Sequence, residues 1–147
     1  MEFKFKKFSE LSNNELYSIL RLRNHVFIVE QKCPYDDIDG KDIKSQHLLL
    51  EDNGNLAGYL RILPKGLSFP QPSIGRVLVK KEYRGGGFAR EMMQNAIQFI
   101  QIKWNEKEIK ISAQVYLKSF YKSLGFKEVS EPYLEDDIPH VDMFYKG

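Results

Sequence analysis

Residues 77–90 read Val77-Leu78-Val79-Lys80-Lys81-Glu82-Tyr83-Arg84-Gly85-Gly86-Gly87-Phe88-Ala89-Arg90, an apolar run that leads through a short connector into three glycines. Apolar residues then recur at three- and four-residue spacing, which predicts an amphipathic helix: Ala89, Met92, Met93, Ala96, Ile97 and Ile100. Glycines at a helix start leave the backbone open to a ligand, and the first amides of a helix lack internal partners. With Arg84 beside them, these amides predict a site for a phosphate or pyrophosphate. The alternative is a flexible glycine turn that binds nothing.

Two well-known phosphate motifs do not fit this turn. A Walker loop ends in Gly-Lys-Ser/Thr, whereas Gly87 is followed by Phe88 and Ala89. A dinucleotide fingerprint requires a third glycine where this chain has Arg90. The predicted phosphate site therefore belongs to another class.

Composition limits the class of protein. A chain of 147 residues, 42% hydrophobic and 13% aromatic, suits a single domain over residues 1–147. Its 22 Lys and Arg nearly balance 20 Asp and Glu, which argues against a nucleic-acid or membrane-surface binder. The sequence has no apolar run near the ~20 residues that span a bilayer and no signal-peptide core at its start. The lone cysteine, Cys33, excludes an internal disulfide and predicts a cytoplasmic protein.

The N-terminal third predicts a strand at residues 3–8 and then a helix. A capping box over residues 12–15 starts a helical stripe that continues to Glu30 and includes Arg23. For these charged residues we prefer pairing at the helix edge; the alternative is that Glu30 faces a cleft. The aspartate-rich segment 33–42 lacks the spacing of an EF-hand, so we expect a solvated or cation-attracting loop.

The remaining residues alternate between strand and helix patterns. A turn at residues 52–55 joins strands 46–51 and 56–63, and Gly75 in strand 74–79 is typical of a bulge or a close backbone approach. A strand at 108–113, a helix at 116–124 and strands at 126–129 and 141–145 follow. The order is β-α-ββ-β-α-β-α-β-β, which predicts an α/β fold with a mixed sheet covered by helices on both faces.

The pattern Arg84-x-x-Gly87-x-Ala89 resembles the Arg/Gln-x-x-Gly-x-Gly/Ala motif with which GNAT superfamily N-acetyltransferases hold the pyrophosphate of coenzyme A. Further blocks, in order along nearly the whole chain, are similar to the ElaA-type branch of that superfamily: Leu22-Arg23-x-x-Val26-Phe27-x-Val29-Glu30-Gln31, Cys33-Pro34-Tyr35, His47-Leu48, Gly75-Arg76-Val77, Ala113-Gln114, Phe120-Tyr121-x-x-x-Gly125-Phe126 and Glu135-Asp136-x-Ile138-Pro139-His140-x-x-Met143. Ala89, where many members have glycine, and Gly86, at a variable position, are the departures.

The resemblance implies a GNAT-like splayed sheet and a metal-free reaction. Acetyl-CoA would be the donor, and a primary amine would attack it directly in a ternary complex. The acceptor stays open between small-molecule amines, such as a polyamine, an aminosugar or an amino acid, and a protein lysine. The chain would be a monomer or a homodimer.

The resemblance also implies where the cofactor binds. Backbone groups of Leu78 and Val79 would hold the pantetheine arm, in a gap beside the strand at 108–113. The pyrophosphate would be held by amides of Arg84, Gly85, Gly86, Gly87, Phe88 and Ala89.

The resemblance also predicts the catalytic residues. The family places a tyrosine at Tyr121, which is the candidate acid for the departing thiolate, and the alternative is a core aromatic. The candidate bases are Glu30, His47, Asp136 and His140, and a carboxylate at Asp136 would raise the basicity of His140. Two rival functions are a non-catalytic acyl-CoA-binding or sensing domain and a Cys33 nucleophile with either histidine, although Cys33 matches no nucleophile motif.

Overall fold

The computed structural model describes residues 1–147, with strands and helices in the predicted order and one additional strand. The strands are β1 (Glu2–Lys7), β2 (Gln46–Asp52), β3 (Asn55–Leu63), β4 (Ser73–Val79), β5 (Glu108–Gln114), β6 (Lys127–Glu128), β7 (Tyr133–Glu135) and β8 (Ile138–Lys146). The helices are α1 (Asn13–Arg23), α2 (Phe88–Lys103) and α3 (Lys118–Ser123). A π-helical segment, Asn24–Glu30, continues α1, and short 3-10 turns lie at Phe8–Glu10, Asp42–Lys44, Lys81–Tyr83 and Val115–Leu117.

The strands form two separate sheets that splay apart. The first has the order β1-β2-β3-β4 and the second β5-β8-β6, with β7 also pairing with β8. β4 and β5 lie side by side without forming a ladder. Near the start of both strands, the Lys110 amide donates to the Pro72 carbonyl at 3.0 Å. The predicted splay beside β5 is therefore confirmed, and it leaves a gap between the two sheets.

Helices cover both faces of the first sheet, as predicted. α2 packs its apolar stripe, including the fully buried Met92 and Met93, against Leu48 and Leu50 of β2. Leu49, between them, points the other way and packs with Ile19 of α1. Alternating residues of one strand thus enter two cores, since successive side chains of a strand face opposite sides. Burying each large apolar side chain contributes about 1.5–3 kcal/mol.

Local signals in the sequence locate several boundaries correctly. Ser12 accepts a hydrogen bond from the Glu15 amide, and Glu15 accepts one from the Ser12 amide. Asn53 and Gly54, with φ of 50° and 84°, form the tight turn between β2 and β3. Both features depend on residues within one turn of each other, so they can be predicted without tertiary information.

Four elements differ from the prediction. The stripe after Arg23 is π-helical, and the last helix is a 3-10 turn followed by the short α3. β7 was predicted to be loop, and β8 begins at Ile138 instead of Val141. The two strands are joined through Asp136 and Asp137, both with positive φ (51° and 62°). Because this turn contains no glycine, the usual hairpin signal is missing from the sequence.

The prediction of a solvated or cation-attracting loop is wrong for two of its four aspartates, whereas Asp36 and Asp39 are exposed. Asp37 and Asp42 are only 7% and 6% exposed, and both form ion pairs with Arg23, which is itself fully buried. Arg23 is therefore paired, as predicted, but in the interior and not at the helix edge. Carboxylates can be buried in this way because arginine side chains compensate their charge.

Candidate active site

A cleft of about 1170 Å³ occupies the gap between β4 and β5. It is lined by nearly all the predicted site residues: Glu30, Leu78, Val79, Arg84, Gly85, Gly87, Phe88, Ala89, Tyr121, Asp136 and His140. Gly86 lies in the same turn but does not line the cleft. Residues distant in sequence thus meet at one site, at the place where the strands separate.

The glycine turn presents unpaired backbone amides to this cleft. Gly85 and Gly87 have φ of 87° and 82°, a region that other residues adopt only with strain. Within the chain, no group accepts a hydrogen bond from the consecutive amides of residues 85–90, since the first helical bond is Glu91 N to Gly87 O at 3.2 Å. Amides of this kind at a helix start bind anions.

Arg84 lies directly before the glycine turn. Its Nε donates to the Val79 carbonyl at 2.8 Å, and its Nη2 donates to Glu30 Oε1 at 3.0 Å. Glu30 does face the cleft, but its carboxylate is the counterion of Arg84 and lies beside the glycine turn. Both of its carboxylate oxygens accept from Arg84 Nη2, at 3.0 and 3.3 Å.

Tyr121 combines a buried ring with a free hydroxyl. It is 8% exposed and packs edge-on against Phe120 and Phe126. No protein group hydrogen-bonds its hydroxyl, and the residue lines the cleft. Burial, with a smaller contribution from Tyr116, raises the pKa of Tyr121 to about 12. The phenol therefore keeps its proton at neutral pH, which a general acid requires before it acts.

His140 of β8 has a defined orientation. Its Nδ1 donates to the Ile138 carbonyl at 2.7 Å, which leaves the lone pair on Nε2 in the neutral ring. Nε2 lies 3.5 Å from Glu135 Oε2, and the ring stacks on Tyr133. The expected partner, Asp136, makes no side-chain contact with His140. The carboxylate next to the imidazole is Glu135, so the pairing of Asp136 with His140 is wrong.

A hydrogen-bonded cluster that the sequence did not single out lies beside His140. Tyr133 OH is 2.5 Å from Ser112 Oγ and donates to Asp142 Oδ1 at 2.7 Å. Burial, together with the hydrogen bond to Asp142, raises the pKa of Tyr133 to about 12. Ser112 and Asp142 are register partners on β5 and β8. Only the register, which the sequence does not reveal, places them together.

His47 and Cys33 lie outside the cleft. His47 is 1% exposed and is held between Tyr59 OH and the Asp42 carbonyl, at 2.5 and 2.9 Å. Burial lowers its pKa, so it is a neutral structural residue and not a base for substrate. The Cys33 thiol donates to the Asp136 carbonyl at 2.8 Å. It faces neither His47 nor His140, so the structure does not assemble the Cys33 nucleophile.

No group of three or more His, Cys, Asp or Glu side chains is arranged to hold a metal ion. None of the helices has the length and apolar character needed to cross a bilayer.

Comparison with known proteins identifies the family. The family model described as "Acetyltransferase (GNAT) domain" matches residues 10–146. Protein ElaA of Escherichia coli is 42% identical over 137 residues, which cover 92% of this chain and 90% of ElaA.

Solved structures agree. The crystal structure of E. coli ElaA superimposes with a TM-score of 0.92 at 40% identity, covering 99% of this chain and 100% of that one. An acyl-CoA N-acyltransferase from Pseudomonas aeruginosa gives a TM-score of 0.92 at 40% identity, with 98% of each chain covered. The chain therefore belongs to the GNAT acyltransferases, in the ElaA-like branch, and is an acyl-CoA-dependent enzyme of that family.

Proposed function

We propose that this protein is a single-domain N-acetyltransferase, spanning residues 1–147, that moves an acetyl group from acetyl-CoA to a primary amine in a ternary complex. The observation that carries the proposal is the common cleft. It joins the unpaired amides of residues 85–90 to a protonated phenol, Tyr121, and an imidazole with a free lone pair, His140. An anion site and proton-transfer groups are the parts that acetyl transfer from a phosphorylated carrier requires.

The cofactor would lie along the edge of β4. The amides of residues 85–89 would bind the pyrophosphate. The Arg84 amide, which the sequence placed in this set, donates instead to the Lys81 carbonyl at 3.3 Å, so Arg84 would contribute only its positive charge. The backbone of Leu78 and Val79, at the end of β4, would pair with the pantetheine arm, since no strand of the second sheet occupies that edge. This arrangement directs the thioester toward the part of the cleft that contains Tyr121 and His140.

The chemistry needs one proton acceptor and one proton donor. An ammonium has no lone pair, so the acceptor must first lose a proton, which His140 Nε2 takes directly or through a water molecule. The amine nitrogen then forms a bond to the thioester carbon, and an amide of β4 near Leu78 stabilises the oxyanion. The carbon–sulfur bond breaks, and Tyr121 protonates the thiolate. The nitrogen then loses its second proton, which returns to the Tyr121 phenolate and leaves the neutral amide.

The acceptor is proposed to reach the cleft as a cation. Glu135, Asp136 and Asp142 all line the cleft around His140. Their charges are only weakly compensated, since Lys110 Nζ lies 3.9 Å from Asp142 and His140 Nε2 lies 3.5 Å from Glu135. A negative field at this end attracts ammonium groups, whether on a small amine or on a protein lysine. The free Cys33 thiol suits the cytoplasmic location that the sequence predicts.

Acetyl-CoA consumption tests this function directly. Released thiol would be measured with a panel of amines that includes a polyamine, an aminosugar, free lysine and a lysine peptide, and acetylated products would be identified by mass spectrometry. We expect thiol release to depend on one class of amine and to match product formation. Calorimetric binding of acetyl-CoA without acetylation of any amine would instead favour a sensing domain.

A further inference from the structure

β4 contains a bulge with an unusual backbone conformation at its cleft face. Tyr59 pairs with Leu78, but Arg61 pairs with Gly75, so one residue of β3 faces two residues of β4, Arg76 and Val77. Arg76 has φ of 52°, a left-handed conformation that costs a residue with a side chain on the order of 1 kcal/mol or more. Gly75, where the sequence favoured a bulge, has no positive φ. Such strain persists only where surrounding contacts enforce it.

The contacts that enforce it come from the loop between α1 and β2. Arg76 Nη2 donates to the Asp37 carbonyl at 3.0 Å, and its Nε lies 2.8 Å from Asp37 Oδ1. The second contact is an ion pair and not a hydrogen bond, and both atoms are buried without any hydrogen-bond partner. Arg76 has a second, more distant carboxylate, since its Nη2 lies 3.5 Å from Asp39 Oδ2, so Asp37 is its closest partner. The guanidinium also lies over the Tyr35 ring, 5.6 Å from its centroid.

Asp37 is itself held from the opposite side. Arg23, at the end of α1, donates from Nε to Asp37 Oδ2 at 3.0 Å and from Nη2 to the Asp37 carbonyl at 2.9 Å. Arg23 also donates to Asp42 Oδ1 at 2.7 Å, and Arg61 donates to the same oxygen at 3.0 Å. Asp37 thus joins the end of α1 to the bulge, whereas Asp42 belongs to the same buried network without contacting Arg76.

We infer that Asp37 is a positioning residue for acyl transfer, acting through Arg76 to hold the bulge of β4. The inference rests on the proposed function, in which the β4 backbone just after the bulge, near Leu78, receives the thioester carbonyl. Asp37 does not line the cleft, whereas Arg76, Val77 and Leu78 all do. Releasing Arg76 would let the strand relax out of the left-handed conformation and change the direction of the backbone groups that follow. Cofactor binding at the glycine turn would be left intact.

A matched pair of variants tests this role. Asp37→Asn and Asp42→Asn each remove one buried charge from the same network, so we expect both to lower the melting temperature. Only Asp37→Asn should reduce kcat, by about tenfold, with acetyl-CoA affinity changed less than about threefold, because a misplaced reacting group costs rate and not cofactor binding. An equal fall of kcat in both variants, or no fall in Asp37→Asn, would overturn the assignment.

A second pair separates backbone geometry from the guanidinium itself. Arg76→Gly and Arg76→Ala both lose the side chain, but only glycine adopts positive φ without strain. We expect the glycine variant to retain a kcat at least about threefold higher than the alanine variant. Equal losses would assign the effect to the guanidinium and contradict the positioning role.

A structural measurement keeps the test independent of the reaction. If the wild-type enzyme acetylated no amine, the proposed function would fail, but the bulge could still be examined in crystals of Asp37→Asn. If residue 76 leaves the left-handed region in this variant, the positioning role of Asp37 is supported. If residue 76 keeps a φ near the wild-type value, that role is refuted.

Discussion

The Tyr121 hydroxyl is the most exacting single-residue test of the mechanism. Tyr121→Phe removes one oxygen from a ring that is already packed against Phe120 and Phe126, so the fold should be retained. If the phenol protonates the leaving thiolate, kcat should fall at least about tenfold, while acetyl-CoA affinity should change little. Steady-state kinetics together with calorimetry measure the two quantities separately.

Tyr145→Phe is the matched control for this change. Tyr145 packs on the same Phe126 ring, with centroids 5.4 Å apart, but does not line the cleft. Its hydroxyl accepts only a long hydrogen bond from Gln101, at 3.4 Å. Wild-type turnover is expected for this variant. Full activity of Tyr121→Phe would remove the phenol from the mechanism and leave it as a core aromatic.

Whether the role of a single residue could be predicted depended on how far away in the sequence its contacting residues lie. Tyr121 was identified from the resemblance to the GNAT family and the glycines from the strand and helix that flank them. The structure places Tyr121, Gly85 and Gly87 in one cleft. The carboxylate beside His140 was assigned to Asp136 instead of Glu135, because its position follows from the β7–β8 turn. Asp37 was missed for the same reason, since it is 39 residues from Arg76 and only the folded chain brings them together.

At the scale of elements, Gly87 at the start of α2 must adopt a positive φ and must also keep the neighbouring amides in place for the pyrophosphate. Gly87 has φ of 82°, and an added Cβ there would meet no protein atom within 4 Å. Gly87→Ala should therefore cost on the order of 1 kcal/mol through backbone strain and should also shift the amides that bind the pyrophosphate. We expect acetyl-CoA affinity to fall about tenfold or more, measured by calorimetry on protein confirmed to be folded.

Gly54→Ala is the control, because it introduces the same backbone strain at a position outside the glycine turn. Gly54 lies in the hairpin between β2 and β3, has φ of 84° and likewise has open space around an added Cβ. Its alanine variant should lose similar stability and keep its affinity for acetyl-CoA. Equal affinities for the two variants would show that the glycine turn does not bind the cofactor.

Helices and strands were predicted correctly where their apolar residues recur with a regular spacing. α2 was correctly predicted because its apolar stripe continues to Ile100 and includes two buried methionines, Met92 and Met93. β7 was missed because its residues, Tyr133–Glu135, are all exposed and so lack an alternating pattern. The π-helical segment after α1 keeps a helical spacing of apolar residues, so sequence periodicity did not distinguish it from α-helix.

At the scale of the molecule, an ion-paired carboxylate and a buried histidine make stability depend on pH in separate ranges. Although burial opposes it, hydrogen bonds from Arg61 and the Lys41 amide hold the pKa of Asp39 far below its usual range. The stability that this carboxylate contributes is present above its unfolded pKa of about 3.9 and is lost as pH falls below that value. It does not affect the range between pH 5 and 7.

Between pH 5 and 7, the stability of the fold depends on His47 instead. Burial lowers its pKa in the folded chain from 6.5, so below about pH 6.5 the unfolded state binds more protons. The free energy of unfolding should therefore fall on acidification from pH 7 to 5, by up to about 1.4 kcal/mol for each pH unit below the unfolded pKa. Urea denaturation at both pH values should show a larger difference for the wild type than for His47→Gln.

His25→Gln is the control for that comparison, because the His25 side chain is 63% exposed and is not enclosed on folding. Its pH-dependent loss of stability should stay closer to the wild type than that of His47→Gln. If His47→Gln also matched, the imidazole between Tyr59 and Asp42 would have to be accessible to protons in the folded chain. The buried network under the first sheet would then be more open to water than its packing indicates, and Asp37 would lose the rigid support that its positioning role requires.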